Sequence, residues 1–203
     1  MGIIRENLTM QRMGLIRILL TTAFLLLLPL LAMQFTDEVV WDPADFVVAG
    51  ALLAGTGFVY ELVASRGGNI AYRAAVGIAL AAALLLVWVN LAVGIIGSED
   101  NPANLMYIGV LAVGLMGAVI ARLEQRGMAR ALFATALAQA LVPVIALIIW
   151  KPSVASDASG WGSAGVLGVF GLNAFFVMLF VGSALLFRRA VREPNGTGVG
   201  PTA

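Results

Sequence analysis

The chain has 203 residues, of which 61% are hydrophobic and only 11% are charged, whereas a soluble domain carries roughly a quarter charged residues. That deficit, together with apolar runs of about 20 residues, excludes a water-soluble globular domain and indicates an integral membrane protein. The net charge of +1 offers no basic excess for nucleic acid, and the absence of His and Cys excludes His-ligated haem, Ser–His catalysis and thiol chemistry.

Six apolar stretches are long enough to cross a hydrocarbon core of about 30 Å. They cover residues 14–35, 45–64, 71–96, 103–122, 128–150 and 162–187. The first stretch is longer than the apolar core of a signal peptide, which has about 7–15 residues, so we expect it to be retained. The sequence therefore predicts an all-α integral membrane protein with six transmembrane helices joined by short loops.

Three regions follow from these boundaries. Residues 1–13 would form a cytoplasmic N-terminal segment, and residues 14–187 the six-helix transmembrane domain. Residues 188–203 would form a cytoplasmic tail that is largely disordered, because Gly, Pro and Thr are frequent there. The short connections predict that sequential helices pack as antiparallel neighbours.

The charges indicate an orientation. All of the 12 basic residues except Lys151 fall on one side of the six-span topology. They are Arg5, Arg12, Arg17, Arg66, Arg73, Arg122, Arg126, Arg130, Arg188, Arg189 and Arg192. Because Lys and Arg in short loops stay in the cytoplasm, this pattern predicts that both termini are cytoplasmic. We expect the protein to lie in a bacterial cytoplasmic (inner) membrane.

The connections on the opposite side of the predicted membrane are acidic, and some of their polar residues are placed to cap the start of a helix. Asp42 and Asp45 flank Pro43 in the pattern of an N-cap, and Asn101 before Pro102 repeats it. The polar loop around residues 97–104 offers oxygen ligands but lacks the spacing of a known calcium loop, so no metal site is predicted.

A weak internal repeat suggests three similar helical hairpins. Gln11-Arg12 with Thr22 and Pro29 resembles Gln125-Arg126 with Thr135 and Pro143. Small residues four apart, such as Ala51 with Gly55 and Gly114 with Ala118, predict close contacts between helices.

Five polar residues of the spans are the candidate functional residues: Glu61, Asn90, Thr135, Gln139 and Asn173. They would either hold helices together through hydrogen bonds or line a polar pathway or pocket. Gln139 and Asn173 should meet at a similar depth. Glu61 lies close to the inner end of its span, where it would pair with a nearby arginine or couple to a proton or cation.

The arginines that we expect near Glu61 are Arg66 and Arg73. No nucleophile–base pair or set of catalytic carboxylates is apparent, so neither an enzyme nor a cofactor-binding protein is predicted. The favoured function is a structural or accessory role, in which the helices associate with a second copy or with a larger membrane complex in the lipid bilayer. The alternative is a transporter or channel for a small solute or a cation that uses the buried polar residues.

Overall fold

The computed structural model describes residues 2–66, 69–97, 100–149 and 165–192, with side chains from residue 12 onward. This part of the chain is all-helical. Its helices are α1 (Gly2–Phe35), α2 (Pro43–Ala64), α3 (Ile70–Ala92), α4 (Met106–Ile120), α5 (Gln125–Ile149) and α6 (Gly165–Arg192). Each of these six described helices is long and apolar enough to cross a membrane, α4 together with a 3₁₀ turn over Pro102–Leu105.

The chain divides into two compact units. Unit 1, Met1–Ser65, contains α1 and α2, and unit 2, Arg66–Ala203, contains α3 to α6. Many large apolar side chains of both units are exposed, including Phe24, Phe58 and Met178. An apolar exterior of this kind suits lipid as the surrounding solvent, because lipid does not penalise it.

Unit 1 is an antiparallel hairpin that packs through glycines. A Cβ atom at Gly57 would lie 3.1 Å from Cγ2 of Ile18, and one at Gly50 would lie 3.5 Å from Cδ1 of Leu26. The two contacts run in opposite directions along α1 and α2, which confirms the predicted antiparallel pair. Without side chains at these two positions, α2 can bring its backbone close to α1.

The start of α2 is the predicted N-cap. Asp42 Oδ1 accepts from the backbone N–H of Asp45 at 2.9 Å, and Asp45 Oδ2 accepts from the backbone N–H of Asp42 at 2.9 Å. Pro43 follows the cap. This reciprocal capping box satisfies two backbone donors that would otherwise lack partners, so these acids stabilise the helix end.

Within unit 2, α6 packs against both α5 and α3, and α4 packs mainly against α5. The prediction that sequential helices are neighbours is therefore confirmed for α4 with α5 and for α5 with α6. It is wrong for α3 with α4, which are not principal neighbours in the described residues. The suggested threefold repeat required three packed hairpins, α1–α2, α3–α4 and α5–α6. The first and the third are found, but α3 and α4 do not pack as a hairpin in the described residues.

The connection from α3 to α4 begins with a buried apolar pair, Ile95 and Ile96, that lies beyond the end of the helix. The helix stops at Ala92, short of the predicted Ile96, and Gly94 adopts a positive φ of 68°. Asn104 Oδ1 then accepts from the backbone N–H groups of Ile95 and Ile96 at 3.1 and 2.9 Å. Because these two isoleucines are buried in the loop, the apolar pattern there resembled a continuing span.

The turn between α4 and α5 is held from α3. Arg122 and Leu123 have φ angles of 49° and 62°, in the left-handed region that non-glycine residues seldom adopt. The hydroxyl of Tyr72 donates to the carbonyl of Leu123 at 3.1 Å. The Tyr72 ring packs edge-on against Phe187 of α6, so one buried side chain ties this turn to two other helices.

Two helices extend beyond the predicted membrane spans. Helix α1 begins at Gly2, because the basic segment before residue 14 continues the helix, and α6 continues to Arg192, beyond the predicted end at 187. Arg and Ala, which are good helix formers, favour the extension of α6 through residues 188–192. The predicted fifth connection with Lys151 and the tail from residue 193 lie outside the described residues.

Candidate functional site: a buried amide cluster

Asn173 of α6 lies at the centre of a hydrogen-bonded cluster that joins three helices of unit 2. Its Oδ1 accepts from the hydroxyl of Tyr107 on α4 at 3.1 Å and from Nε2 of Gln139 on α5 at 2.9 Å. Its Nδ2 donates to the Tyr107 hydroxyl at 2.9 Å and to the carbonyl of Val169 at 2.8 Å. Both lone pairs and both N–H groups of the amide are therefore used.

The cluster is shielded from the exterior. The exposed fractions of Gln139, Asn173 and Tyr107 are 0%, 1% and 2%. The sequence-based expectation that Gln139 and Asn173 meet is confirmed by their hydrogen bond. A buried polar group without a partner costs about 1–3 kcal/mol, so this mutual pairing is what allows amides in an otherwise apolar core.

Gln139 is only partly satisfied. Its Nε2 donates to Asn173, but its Oε1 has no hydrogen-bond partner among the described residues. Pro143 lies one turn further along α5 and has no N–H to give to the backbone carbonyl of Gln139. The side-chain oxygen of Gln139 is therefore open to a further hydrogen bond, and its backbone carbonyl lacks the usual helical donor at residue 143.

Tyr107 was missed by the sequence analysis, although a signal was present. It follows Pro102 of the cap by five residues, and it is a tyrosine inside an apolar span. A buried tyrosine hydroxyl normally has a hydrogen-bond partner, so this residue should have been considered with the amides.

Thr135 does not belong to the hydrogen-bonded cluster. It lies where α5 comes closest to α4. Its Oγ1 donates to the carbonyl of Ala131 in its own helix at 2.9 Å. A Cβ at Gly114 would lie 3.2 Å from Oγ1 of Thr135, and one at Gly117 would lie 2.6 Å from Cβ of Ala131. The glycines of α4 thus allow α5 to approach closely enough for the cluster to form.

Asn90 makes no described hydrogen bond to the cluster. It lies on α3, and its Nδ2 donates to the carbonyl of Leu86, one turn earlier in the same helix, at 2.8 Å. Its Oδ1 is buried and has no partner among the described residues. Of the three candidate amides, Asn90, Gln139 and Asn173, only the last two are hydrogen-bonded to each other.

Glu61 belongs to unit 1 and forms an ion pair across the hairpin. Its Oε1 lies 3.2 Å from Nη2 of Arg17, which donates a hydrogen bond to it. The predicted pairing with an arginine is thus found, but the partner is on α1 and is neither of the expected residues. Arg17 and Glu61 have exposed side-chain fractions of 71% and 39%, so the pair lies on the surface of the hairpin.

The chemistry that the cluster can perform is limited by its groups. Amides and a phenol exchange hydrogen bonds but do not carry charge in the ordinary pH range. Within the described residues, no group of three or more Asp, Glu, His or Cys side chains could hold a metal ion. The cluster can therefore join helices, or bind a small polar species at the open oxygen of Gln139.

No protein-family model, curated protein or solved structure matches this chain. The class of protein is accordingly defined by the fold itself. The described residues form six helices that are long and apolar enough to span a membrane, with an apolar exterior and polar side chains paired inside unit 2, and this fits an α-helical membrane protein.

Proposed function

We propose that this chain is a small inner-membrane protein with a structural or accessory role, exerted through association of its helices with a second copy or with a membrane complex. In this proposal it has no catalytic centre and no cofactor. Both termini face the cytoplasm, as the arginine distribution favours.

The observation that carries the proposal is the saturation of Asn173. A polar residue that lines a pathway needs free donors or acceptors for the species that passes. All four hydrogen bonds of the Asn173 amide are instead made to Tyr107, Gln139 and Val169. Bonds of this kind between membrane helices contribute about 0.6–2 kcal/mol each, which is the scale of a structural contact.

A second observation favours α2 as the surface for association. Gly50 and Gly57 of α2 pack against α1, whereas Ala51 and Gly55 are exposed, and no heavy atom lies within 4 Å of a Cβ placed at Gly55. Small residues four apart let the backbone of another helix approach closely. A second copy would present the same exposed pair and so offer a complementary surface.

Cross-linking in native membranes tests this association, because the chain has no cysteine of its own. We expect Ala51→Cys to form a disulfide-linked dimer on mild oxidation. Gly109→Cys on α4 is the matched control, since Gly109 is also exposed and has no heavy atom near its Cβ position. Equal cross-linking at both positions, or none at residue 51, would count against α2 as the interface.

A transporter or channel is the second candidate, and one observation favours it. The buried oxygens Oε1 of Gln139 and Oδ1 of Asn90 have no partner among the described residues. Such oxygens could accept hydrogen bonds from a passing solute or bind a cation. This function requires water to reach Gln139, whereas the structural role requires a dry cluster, so solvent access separates the two.

A further inference from the structure

At one end of unit 2, four arginines surround a single groove between α5 and α6. Its volume is about 500 Å³, and its lining residues are Arg126, Ala129, Arg130, Phe133, Arg188, Val191 and Arg192. Helix periodicity explains the convergence. Arg126 and Arg130 are one turn apart at the start of α5, and Arg188 and Arg192 are one turn apart at the end of α6.

No ion pair to these four arginines is found in the described residues, and the nearby Glu124 lines an adjoining pocket instead. No carboxylate lies among its lining residues, and the only ion pair found in the described part of the chain is Arg17 with Glu61. Glu193 lies outside the described residues. Like charges one turn apart are mildly destabilising, so four guanidinium groups around one groove create a site that favours an anion.

Helix dipoles do not account for the cluster. Cations in the last turn of a helix are favourable, which suits only Arg192 of the four. Arg126 lies in the first turn of α5, where a cation is unfavourable and where the acid nearest in sequence is Glu124, just before the helix. The preference for arginine on the cytoplasmic side explains the number of arginines there, but not their convergence from two helices on one groove.

The lining also indicates the kind of anion. Guanidinium groups bind phosphate oxygens through paired hydrogen bonds, which makes arginine the residue of choice for phosphate. Phe133 and Val191 add an apolar wall to the same groove. A basic pocket with apolar walls, between membrane helices and at the level where they leave the bilayer, suits the headgroup of an anionic phospholipid.

We propose that the groove formed by Arg126, Arg130, Arg188 and Arg192 binds the phosphate of an anionic phospholipid headgroup. The proposal rests on the protein being a membrane protein, but not on its association through α2. A volume of about 500 Å³ admits a headgroup with one or two phosphates. Bound lipid would join α5 to α6 at the end of unit 2 through bridging hydrogen bonds.

Lipid binding to the purified full-length protein tests the proposal. Native mass spectrometry and thermal unfolding would be measured after addition of cardiolipin, phosphatidylglycerol or phosphatidylcholine. We expect wild type to retain the two anionic lipids in preference to phosphatidylcholine. The variant Arg130→Gln/Arg188→Gln should bind them about tenfold more weakly, because it loses charge-assisted hydrogen bonds from both helices.

The matched control is Arg73→Gln/Arg189→Gln, which removes the same charge from exposed residues outside the groove lining. Its affinity should stay within about twofold of wild type. The variant Arg130→Lys/Arg188→Lys keeps the charge but loses the paired geometry, and should bind with intermediate affinity. It also keeps the test decisive if the Gln variant does not fold.

Three results would overturn the proposal. One is an equal loss of binding in the groove variant and in the control, which would indicate general attraction to charge. Another is retention of phosphatidylcholine as strong as that of cardiolipin and phosphatidylglycerol. The third is thermal stabilisation of wild type by inorganic phosphate alone without any lipid preference, which would assign the groove to a soluble phosphate.

Discussion

The hydroxyl of Tyr107 and the side-chain amide of Asn173 hydrogen-bond to each other in both directions. The hydroxyl donates to Oδ1 at 3.1 Å and accepts from Nδ2 at 2.9 Å. This reciprocal pair joins α4 to α6, although few of their backbone atoms come close. Gln139 donates to the same Oδ1 from α5, so Asn173 is the one residue that bonds to both other helices.

Replacement of Asn173 should therefore reduce the free energy of unfolding more than replacement of Gln139. Asn173→Leu leaves two buried groups, the Tyr107 hydroxyl and Nε2 of Gln139, without partners, which should cost about 2–5 kcal/mol. Gln139→Leu loses one hydrogen bond but also removes an oxygen that has no described partner. We expect that variant to lose about 1 kcal/mol or less. Reversible unfolding in detergent would measure the loss of stability in both variants. A loss in Gln139→Leu that equals or exceeds the loss in Asn173→Leu would contradict the central position of Asn173.

The contact of α4 with α5 should depend on Gly117. A Cβ at this position would lie 2.6 Å from Cβ and 3.2 Å from Cα of Ala131, so Gly117→Ala must push the helices apart. We expect a loss of about 1–3 kcal/mol in the free energy of unfolding. Gly109→Ala is the control in the same helix, because nothing lies within 4 Å of its Cβ position. That control should be neutral or slightly stabilising, and similar losses in both variants would contradict the close packing.

The turn between α4 and α5 should become more mobile when Tyr72 loses its hydroxyl. Tyr72→Phe keeps the ring against Phe187 but removes the hydrogen bond to the carbonyl of Leu123. One hydrogen bond is worth about 1 kcal/mol, so local opening of the turn should increase about fivefold. Hydrogen exchange of the peptide that covers residues 118–127 would measure it. Tyr60→Phe in α2 is the control, and unchanged exchange in the Tyr72 variant would show that the turn does not depend on this bond.

Glu61 should behave as half of a surface ion pair. Because both side chains are more than a third exposed, Glu61→Gln should reduce stability by no more than about 1 kcal/mol. Arg17→Glu should be worse, since it places like charges together, and adding Glu61→Arg should restore stability. Unfolding of the single and double variants at low salt would measure this coupling. A loss of stability well above about 1 kcal/mol with Glu61→Gln, or no rescue in the double variant, would contradict a surface ion pair.

Much of the fold could be predicted from local pattern. Span length and the sorting of arginines indicated six helices, and the Asp42–Asp45 pattern gave the correct start of α2 because a capping box involves only neighbouring residues. The meeting of Gln139 with Asn173 could also be predicted. Amides at similar depth in adjacent spans have few other partners in an apolar core.

What could not be predicted depends on contacts between distant residues. The end of α3 at Ala92 is set by Asn104, which binds the backbone of Ile95 and Ile96 from the following segment. The separation of α3 from α4 likewise follows from the fit of α6 against both α3 and α5. An apolar pattern shows that a segment is buried, but not which helix or loop buries it.

The partner of Glu61 illustrates the same limit. Residues close in sequence were expected to pair with it, but Arg17 is brought alongside by the packing of Gly57 on Ile18. The register of the hairpin therefore decides the partner, and that register depends on side-chain shape across two helices.

The most direct test of the structural role is solvent access at the amide cluster. Single cysteines at Thr135 and Gln139 would be exposed to a membrane-impermeant thiol reagent in membranes of both orientations. Cysteines at Glu38 and Glu124, which are exposed and which the charge pattern places on opposite sides, would serve as controls. We predict that each control reacts from one side only and that neither residue 135 nor residue 139 reacts until the protein is unfolded. Labelling at either deep position, in a variant that unfolds at the wild-type temperature, would contradict a dry cluster and favour a water-filled pathway.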